Sequence, residues 1–114
     1  MIKIYHNPRC KKSRAGLEYL KGKNVEFEVI EYLKDPISEK ELKDILIKLN
    51  MKPQELVRTQ EDIYKKELKG KNFTDTEWIR IMIENPKLIK RPIVLKDYKA
   101  VWADPADEID RLIK

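Results

Sequence analysis

The first thirty residues constrain the fold most. Ile2-Lys3-Ile4-Tyr5 is a short apolar run of β character. From Ser13 to Lys23 the pattern is helical, with Gly16, Leu17 and Leu20 on one face and Gly22 near the C-terminal end. Val25-Glu26-Phe27-Glu28-Val29-Ile30 then alternates apolar and acidic residues, the pattern of a half-buried strand. A strand, a helix and a strand at this spacing form a βαβ unit, whose strands are parallel and whose crossover is right-handed. Everything downstream must extend that sheet or cover it.

The middle of the chain is helical. Ser38-Glu39-Lys40-Glu41 is a capping box, followed by Leu42, Ile45, Leu46 and Leu49 at helical spacing. Pro53 suits the first turn of a short helix through Val57, and Ile63 to Leu68 reads as another, closed by Gly70. Thr74-Asp75-Thr76-Glu77 is a second capping box, opening a helix marked by Trp78, Ile79, Met82 and Ile83 and ending before Pro86. Strands return at Pro92-Ile93-Val94-Leu95 and Ala100-Val101-Trp102, joined by a turn over Lys96-Asp97-Tyr98-Lys99. Asp104-Pro105 reads as N-cap and first position of a last helix that buries Ile109, Leu112 and Ile113.

The expected architecture is α/β: a thioredoxin-like βαβ…ββα sheet core with an all-helical subdomain inserted between the second and third strands. One domain, 1–114, is expected, with the insert at about 36–88. Leu42, Ile45, Leu46, Trp78 and Met82 should be buried in the helical layer, and Ile4, Phe27, Ile93 and Val101 should build the sheet and its core.

Composition narrows the function classes. The chain has 114 residues, enough for a real core, with 41% hydrophobic and 39% charged residues. No apolar run approaches the ~20 residues that span a bilayer, and the first residues start as a strand with no signal-like apolar region. The excess of 25 basic over 20 acidic residues is spread along the chain. It fits an anionic ligand or partner, or simply solvated helix faces studded with Lys and Glu; the latter is the better reading against direct nucleic-acid contact, for which no motif is present. One cysteine excludes an internal disulfide and a Cys-rich zinc site, and no metal, flavin or nucleotide site is visible, so no bound cofactor is expected. A reducing cytoplasm is the simplest compartment.

That cysteine, Cys10, lies in His6-Asn7-Pro8-Arg9-Cys10-Lys11-Lys12-Ser13-Arg14, at the turn from strand to helix. Unpaired N–H groups and the helix dipole favour an anion there. Flanking cations add to this, and the thiolate is the reactive form of cysteine. The bland alternative is a small buried hydrophobe. Ser13 fits either a thiolate donor or a first-turn residue of the helix. His6 fits a group that lowers the thiol pKa, a loop organiser, or a histidine satisfied locally at the strand end.

His6-Asn7-Pro8-x-Cys10-x-x-Ser13-Arg14, with Asn85-Pro86-x-Leu88-Ile89-x-Arg91-Pro92-Ile93-Val94 late in the chain, resembles the arsenate reductase family that couples to glutaredoxin. Leu56-Val57-Arg58 stands where that family carries its first catalytic arginine. The resemblance implies Cys10 as nucleophile, with Arg58 and Arg91 clamping a small oxyanion. Arginine's planar fork suits that task. It implies a cis peptide before Pro92, and His6, Asn7, Ser13 and Arg14 as thiolate-stabilising or loop-organising residues. With no second cysteine, the reductant must be external: glutathione as co-substrate and glutaredoxin as partner. At the family's third arginine, thirteen residues past Arg91, this chain has Asp104. The same motifs resemble Spx-like regulators that bind an RNA polymerase subunit. Those carry Cys-x-x-Cys where this chain has Cys10-Lys11-Lys12-Ser13. A family member that has lost catalysis is the third reading.

Overall fold

The computed structural model describes residues 1–113. Two compact units are present: Met1–Asp35 together with the chain from Arg91 onward, and Pro36–Lys90. The first contains β1 (Ile2–Tyr5), α1 (Lys11–Lys21), β2 (Phe27–Ile30), β3 (Ile93–Lys96), β4 (Lys99–Trp102) and α4 (Asp110–Ile113). The second contains α2 (Glu39–Leu49) and α3 (Asp75–Glu84) with short helical turns between and after them.

The sheet has the order β2-β1-β3-β4. β1 and β2 are parallel, Ile2 opposite Phe27 and Tyr5 opposite Ile30, as the βαβ reading requires. β3 runs antiparallel to β1, with Tyr5 opposite Ile93, and β4 pairs antiparallel with β3. This register positions the site. The loop leaving β1 after Tyr5 and the residues entering β3 before Ile93 emerge at the same end of adjacent strands, so the Cys10 loop and Arg91-Pro92 meet there. One face of the sheet buries Ile2, Ile4, Val94 and Val101 with Leu20, Ala103, Ile109 and Leu112. Leu17, Tyr19, Val25, Phe27 and Ile113 pack at its margin.

In the helical unit, α2 buries Leu42, Ile45 and Leu46, and α3 buries Trp78, Ile79 and Met82. Both capping boxes form. Glu41 N–H donates to Ser38 Oγ and Ser38 N–H to Glu41 Oε1 (3.1 and 3.5 Å). Glu77 N–H donates to Thr74 Oγ1 and Thr74 N–H to Glu77 Oε1 (3.2 and 2.9 Å). Pro53–Leu56 is a 3-10 turn, and Tyr64–Leu68 a π-helical turn followed by Gly70 at φ +80°. An isolated antiparallel bridge joins Val57 to Ile89, with Arg58 N–H donating to the Leu88 carbonyl (2.7 Å) and Lys90 N–H to the Leu56 carbonyl (2.9 Å).

Three sequence expectations need adjustment. α1 spans Lys11–Lys21, with Cys10 as its N-cap, and ends two residues before Lys23. The second strand is only Phe27–Ile30, and Val29 is 41% exposed because β2 is an edge strand. Asp104 does not cap the last helix. The 3-10 turn Ala106–Ile109 that leads into α4 has Pro105 as its N-cap, with no side-chain cap bond. The Asp104 carboxylate is instead taken by Lys12 Nζ at 3.0 Å. A full ammonium charge outbids the partial charge at the start of a single turn.

Candidate active site

The segment from His6 to Arg14 is held by its own polar groups. His6 N–H donates to the Ile30 carbonyl (2.8 Å), carrying the β1–β2 ladder one residue past Tyr5. Asn7 then closes the turn. Its carbonyl accepts from Cys10 N–H (3.0 Å), its Oδ1 from Arg9 N–H (3.0 Å), and its own N–H donates to Ser13 Oγ (2.9 Å). Arg14 Nη1 reaches back from the helix to the Pro8 carbonyl (2.9 Å). Ser13 Oγ also lies 2.7 Å from His6 Nδ1, and His6, Asn7 and Ser13 are all buried. Burial is the main influence lowering the His6 pKa; Glu31 and the Ser13 backbone push the other way, and Arg14 and Lys21 add to the lowering. A neutral imidazole lets Nδ1 accept from the hydroxyl while Asn7 N–H donates to the same oxygen.

The Ser13 and Arg14 side chains therefore bind the loop, and neither is engaged with the thiol. What Ser13 offers Cys10 is its backbone N–H. Cys10 is half-buried, with extended backbone (φ −95°, ψ 123°), and its side chain makes no cap hydrogen bond. Burial works against its charged form and is the largest single influence. The Ser13 N–H, the Arg91 guanidinium and the Lys12 N–H favour the thiolate, as does the charge on Arg91. Together they outweigh burial, and the thiol pKa falls below its ordinary value. The first turn of α1 carries no acidic residue to compete for that field.

Arg91 is fixed from the opposite side. The Trp102 indole Nε1–H donates to the Arg91 carbonyl (3.2 Å), and Ala103 N–H donates to the Pro92 carbonyl (2.9 Å). The Arg91–Pro92 peptide is cis. β4 and the residue after it thus present Arg91 to Cys10. The sequence identifies Trp102 only as a strand residue, because its partner is a backbone carbonyl eleven positions away. The Lys12–Asp104 ion pair is illegible for the same reason.

Arg58 belongs to the helical unit, one residue past the turn Pro53–Leu56 and Val57. Its side chain is only 18% exposed, and Nη1 makes a 2.6 Å ion pair with Glu61. Among the described residues no cluster of three or more His, Cys, Asp or Glu could hold a metal ion. Among the same residues no helix is long and apolar enough to cross a membrane.

A thiolate-favouring cysteine facing an anchored arginine can attack an electrophilic centre and stabilise the anion it carries. Comparison with known proteins gives the family. The model of the ArsC family matches residues 5–112. The chain is 41% identical over 114 residues to the uncharacterised Escherichia coli (strain K12) protein YfgD, covering 98% of this chain and 96% of that one. It is 39% identical over 114 residues to a Neisseria meningitidis serogroup A protein named arsenate reductase, covering 98% and 97%. The structure of an arsenate reductase from Vibrio cholerae superposes with a TM-score of 0.92 at 34% identity, covering 97% of this chain and 96% of that one. Motif, fold and relatives agree: this chain belongs to the ArsC family.

Proposed function

We propose that the protein is a thiol-dependent oxidoreductase that reduces a small oxyanion, arsenate by the likeness of its relatives, or a mixed disulfide, through Cys10. The observation that carries this reading is the placement of Cys10: half-buried, at the N-cap of a helix whose first turn holds no acid, on a loop that the β1–β3 pairing brings beside Arg91.

With arsenate the steps balance as follows. The Cys10 thiolate bonds to As(V), and a hydroxyl leaves as water after taking a proton. A glutathione thiolate then attacks the Cys10 sulfur, forming a Cys10–glutathione disulfide. The pair of the broken S–As bond passes to arsenic, which leaves as As(III) in arsenite. A second thiol, from glutaredoxin or glutathione, attacks the glutathione sulfur and releases the Cys10 thiolate. Two thiols become one disulfide and arsenic gains two electrons. The reading requires no bound cofactor, only glutathione as co-substrate, and a reducing compartment such as the cytoplasm keeps the single thiol usable.

Arg91 pairs with the thiolate and with negative charge on the adduct. The likeness to the family gives Arg58 as the second guanidinium for the oxyanion; its Nη1 is ion-paired with Glu61. His6, Asn7, Ser13 and Arg14 hold the loop. Asp104 places a carboxylate on Lys12, where the likeness to the family calls for a cation. Turnover with arsenate is therefore expected to be slow beside reduction of glutathione mixed disulfides.

The test is a coupled assay with arsenate, glutathione, glutaredoxin and glutathione reductase, run in parallel with a glutathione mixed disulfide as oxidant. Turnover of at least one oxidant that is lost in Cys10→Ser supports the reading. Absence of turnover with both, or equal turnover in Cys10→Ser, overturns it.

A further inference from the structure

Gly16 lies in the second turn of α1, buried against the loop that carries Arg91. A Cβ at this position would stand 2.6 Å from Pro92 Cγ, 3.7 Å from Pro92 Cβ and 3.8 Å from Ala103 Cβ. Non-bonded carbons settle at about 3.5–4.0 Å, so the first of these contacts is forbidden. The obstacle is a ring atom of proline, and it has little freedom to retreat. The Pro92 carbonyl is held by Ala103 N–H and the Arg91 carbonyl by the Trp102 indole. On the other side, the start of α1 is tied to its loop by Ser13 and Arg14. Helix and loop therefore touch at Gly16, six residues after Cys10 and one residue from Arg91 in the contacting loop.

We propose that Gly16 is a positioning residue: its missing side chain sets the separation between the Cys10 thiol and the Arg91 guanidinium. A methyl group there pushes α1 off the Arg91-Pro92 loop and draws thiol and guanidinium apart. Helix propensity does not explain a glycine in this place, because alanine is the better helix former. The inference rests on the reading of Cys10 as nucleophile and Arg91 as its partner. Its test reads the thiolate directly, so it gives a result whichever oxidant the protein turns over.

The experiment is the pH dependence of Cys10 alkylation by iodoacetamide in the full chain. Gly16→Ala is expected to raise the midpoint by roughly half a unit or more, part of the effect of losing a neighbouring cation. In an Arg91→Ala background the same substitution is expected to add nothing, because the interaction it weakens is already gone. Gly22→Ala, whose Cβ would meet only carbonyl oxygens at 3.5 and 3.8 Å, leaves the midpoint in place. An unchanged midpoint in Gly16→Ala, or a shift equally large in the Arg91→Ala background, overturns the proposal. If Gly16→Ala does not fold, Gly16→Ala with Pro92→Ala is measured against Pro92→Ala alone. Equal midpoints support the proposal, since the Cγ the methyl would strike is absent, and a higher midpoint in the double variant overturns it.

Discussion

α1 and α3 begin in opposite ways. α3 saturates its own N-terminus: Thr74 and Glu77 exchange side-chain-to-backbone hydrogen bonds, and Asp75 adds a second acidic residue to the first turn. Those bonds lower the Glu77 pKa, the Thr74 N–H being the largest cause. α1 has a cysteine at the N-cap, no side-chain cap bond and no acid in its first turn. The one first-turn hydroxyl, on Ser13, is turned away to His6 and Asn7. The same four unpaired N–H groups exist at both helix starts. In α3 two of them, on Thr74 and Glu77, are taken up by the capping box and stabilise the helix. In α1 the Cys10 N–H is taken by the Asn7 carbonyl, but no side chain caps the N–H groups that follow it, and on the proposed reading these are what favour the thiolate. A helix N-terminus can serve the fold or the chemistry, and the cap residues show which.

If this contrast is sound, substitutions at the two ends should fail in different observables. The largest effect belongs to Cys10→Ser, which should lower turnover in the coupled assay on the order of a thousandfold or more while leaving thermal unfolding nearly unchanged. Next, Arg91→Ala should raise the alkylation midpoint of Cys10 by about one unit or more, since a cation beside a thiolate is worth that much. Arg91→Lys should recover part of the shift but not the forked geometry. A midpoint indifferent to Arg91 would break the account of the site.

Ser13→Ala and Thr74→Ala form a matched pair. Thr74→Ala should destabilise by about 1 kcal/mol and leave alkylation untouched. Ser13→Ala strips a buried N–H and the His6 ring of their shared partner, and should destabilise by about 1–3 kcal/mol. It should also broaden or raise the alkylation midpoint, because the amides facing Cys10 belong to the loop it holds. Equal behaviour of the two variants in alkylation would erase the contrast.

The smallest effect concerns pH. The folded state holds His6 below its ordinary pKa of 6.5, mainly through burial. The unfolded chain then binds more protons as pH falls through this region, so stability rises with pH. The contribution is complete above about pH 6.5 and is lost as pH falls through the folded value. Urea unfolding of wild type and His6→Asn over that range should converge toward acid. Parallel curves would mean that His6 is not kept neutral by the fold.

Much of the fold was legible because its signals are local. The two capping boxes, the helical spacing of Leu42, Ile45 and Leu46, and the alternation around Phe27 are interactions between residues a few positions apart. The errors fell where a distant partner intervened. Asp104 looked like a cap because its neighbours along the chain offered one, and Lys12, ninety-two positions away, took the carboxylate. The strand read over Val25–Ile30 shortens to Phe27–Ile30, because alternation reports a face while pairing with β1 sets the length.

The sequence by itself determined the helices, the strand order of events and the identity of the nucleophile candidate, since one cysteine stands at one strand-to-helix turn. The tertiary structure alone decided what surrounds that thiol. Antiparallel pairing of β1 with β3 brings Arg91 to the Cys10 loop, and Trp102 and Ala103 hold it there. The structure also decided that the Ser13 hydroxyl serves the loop, bonding His6 and Asn7. The physical reason is range. Caps and periodicity act over a few residues and are written in sequence order. The field at a buried thiol is summed over groups that only folding brings within a few ångströms of it.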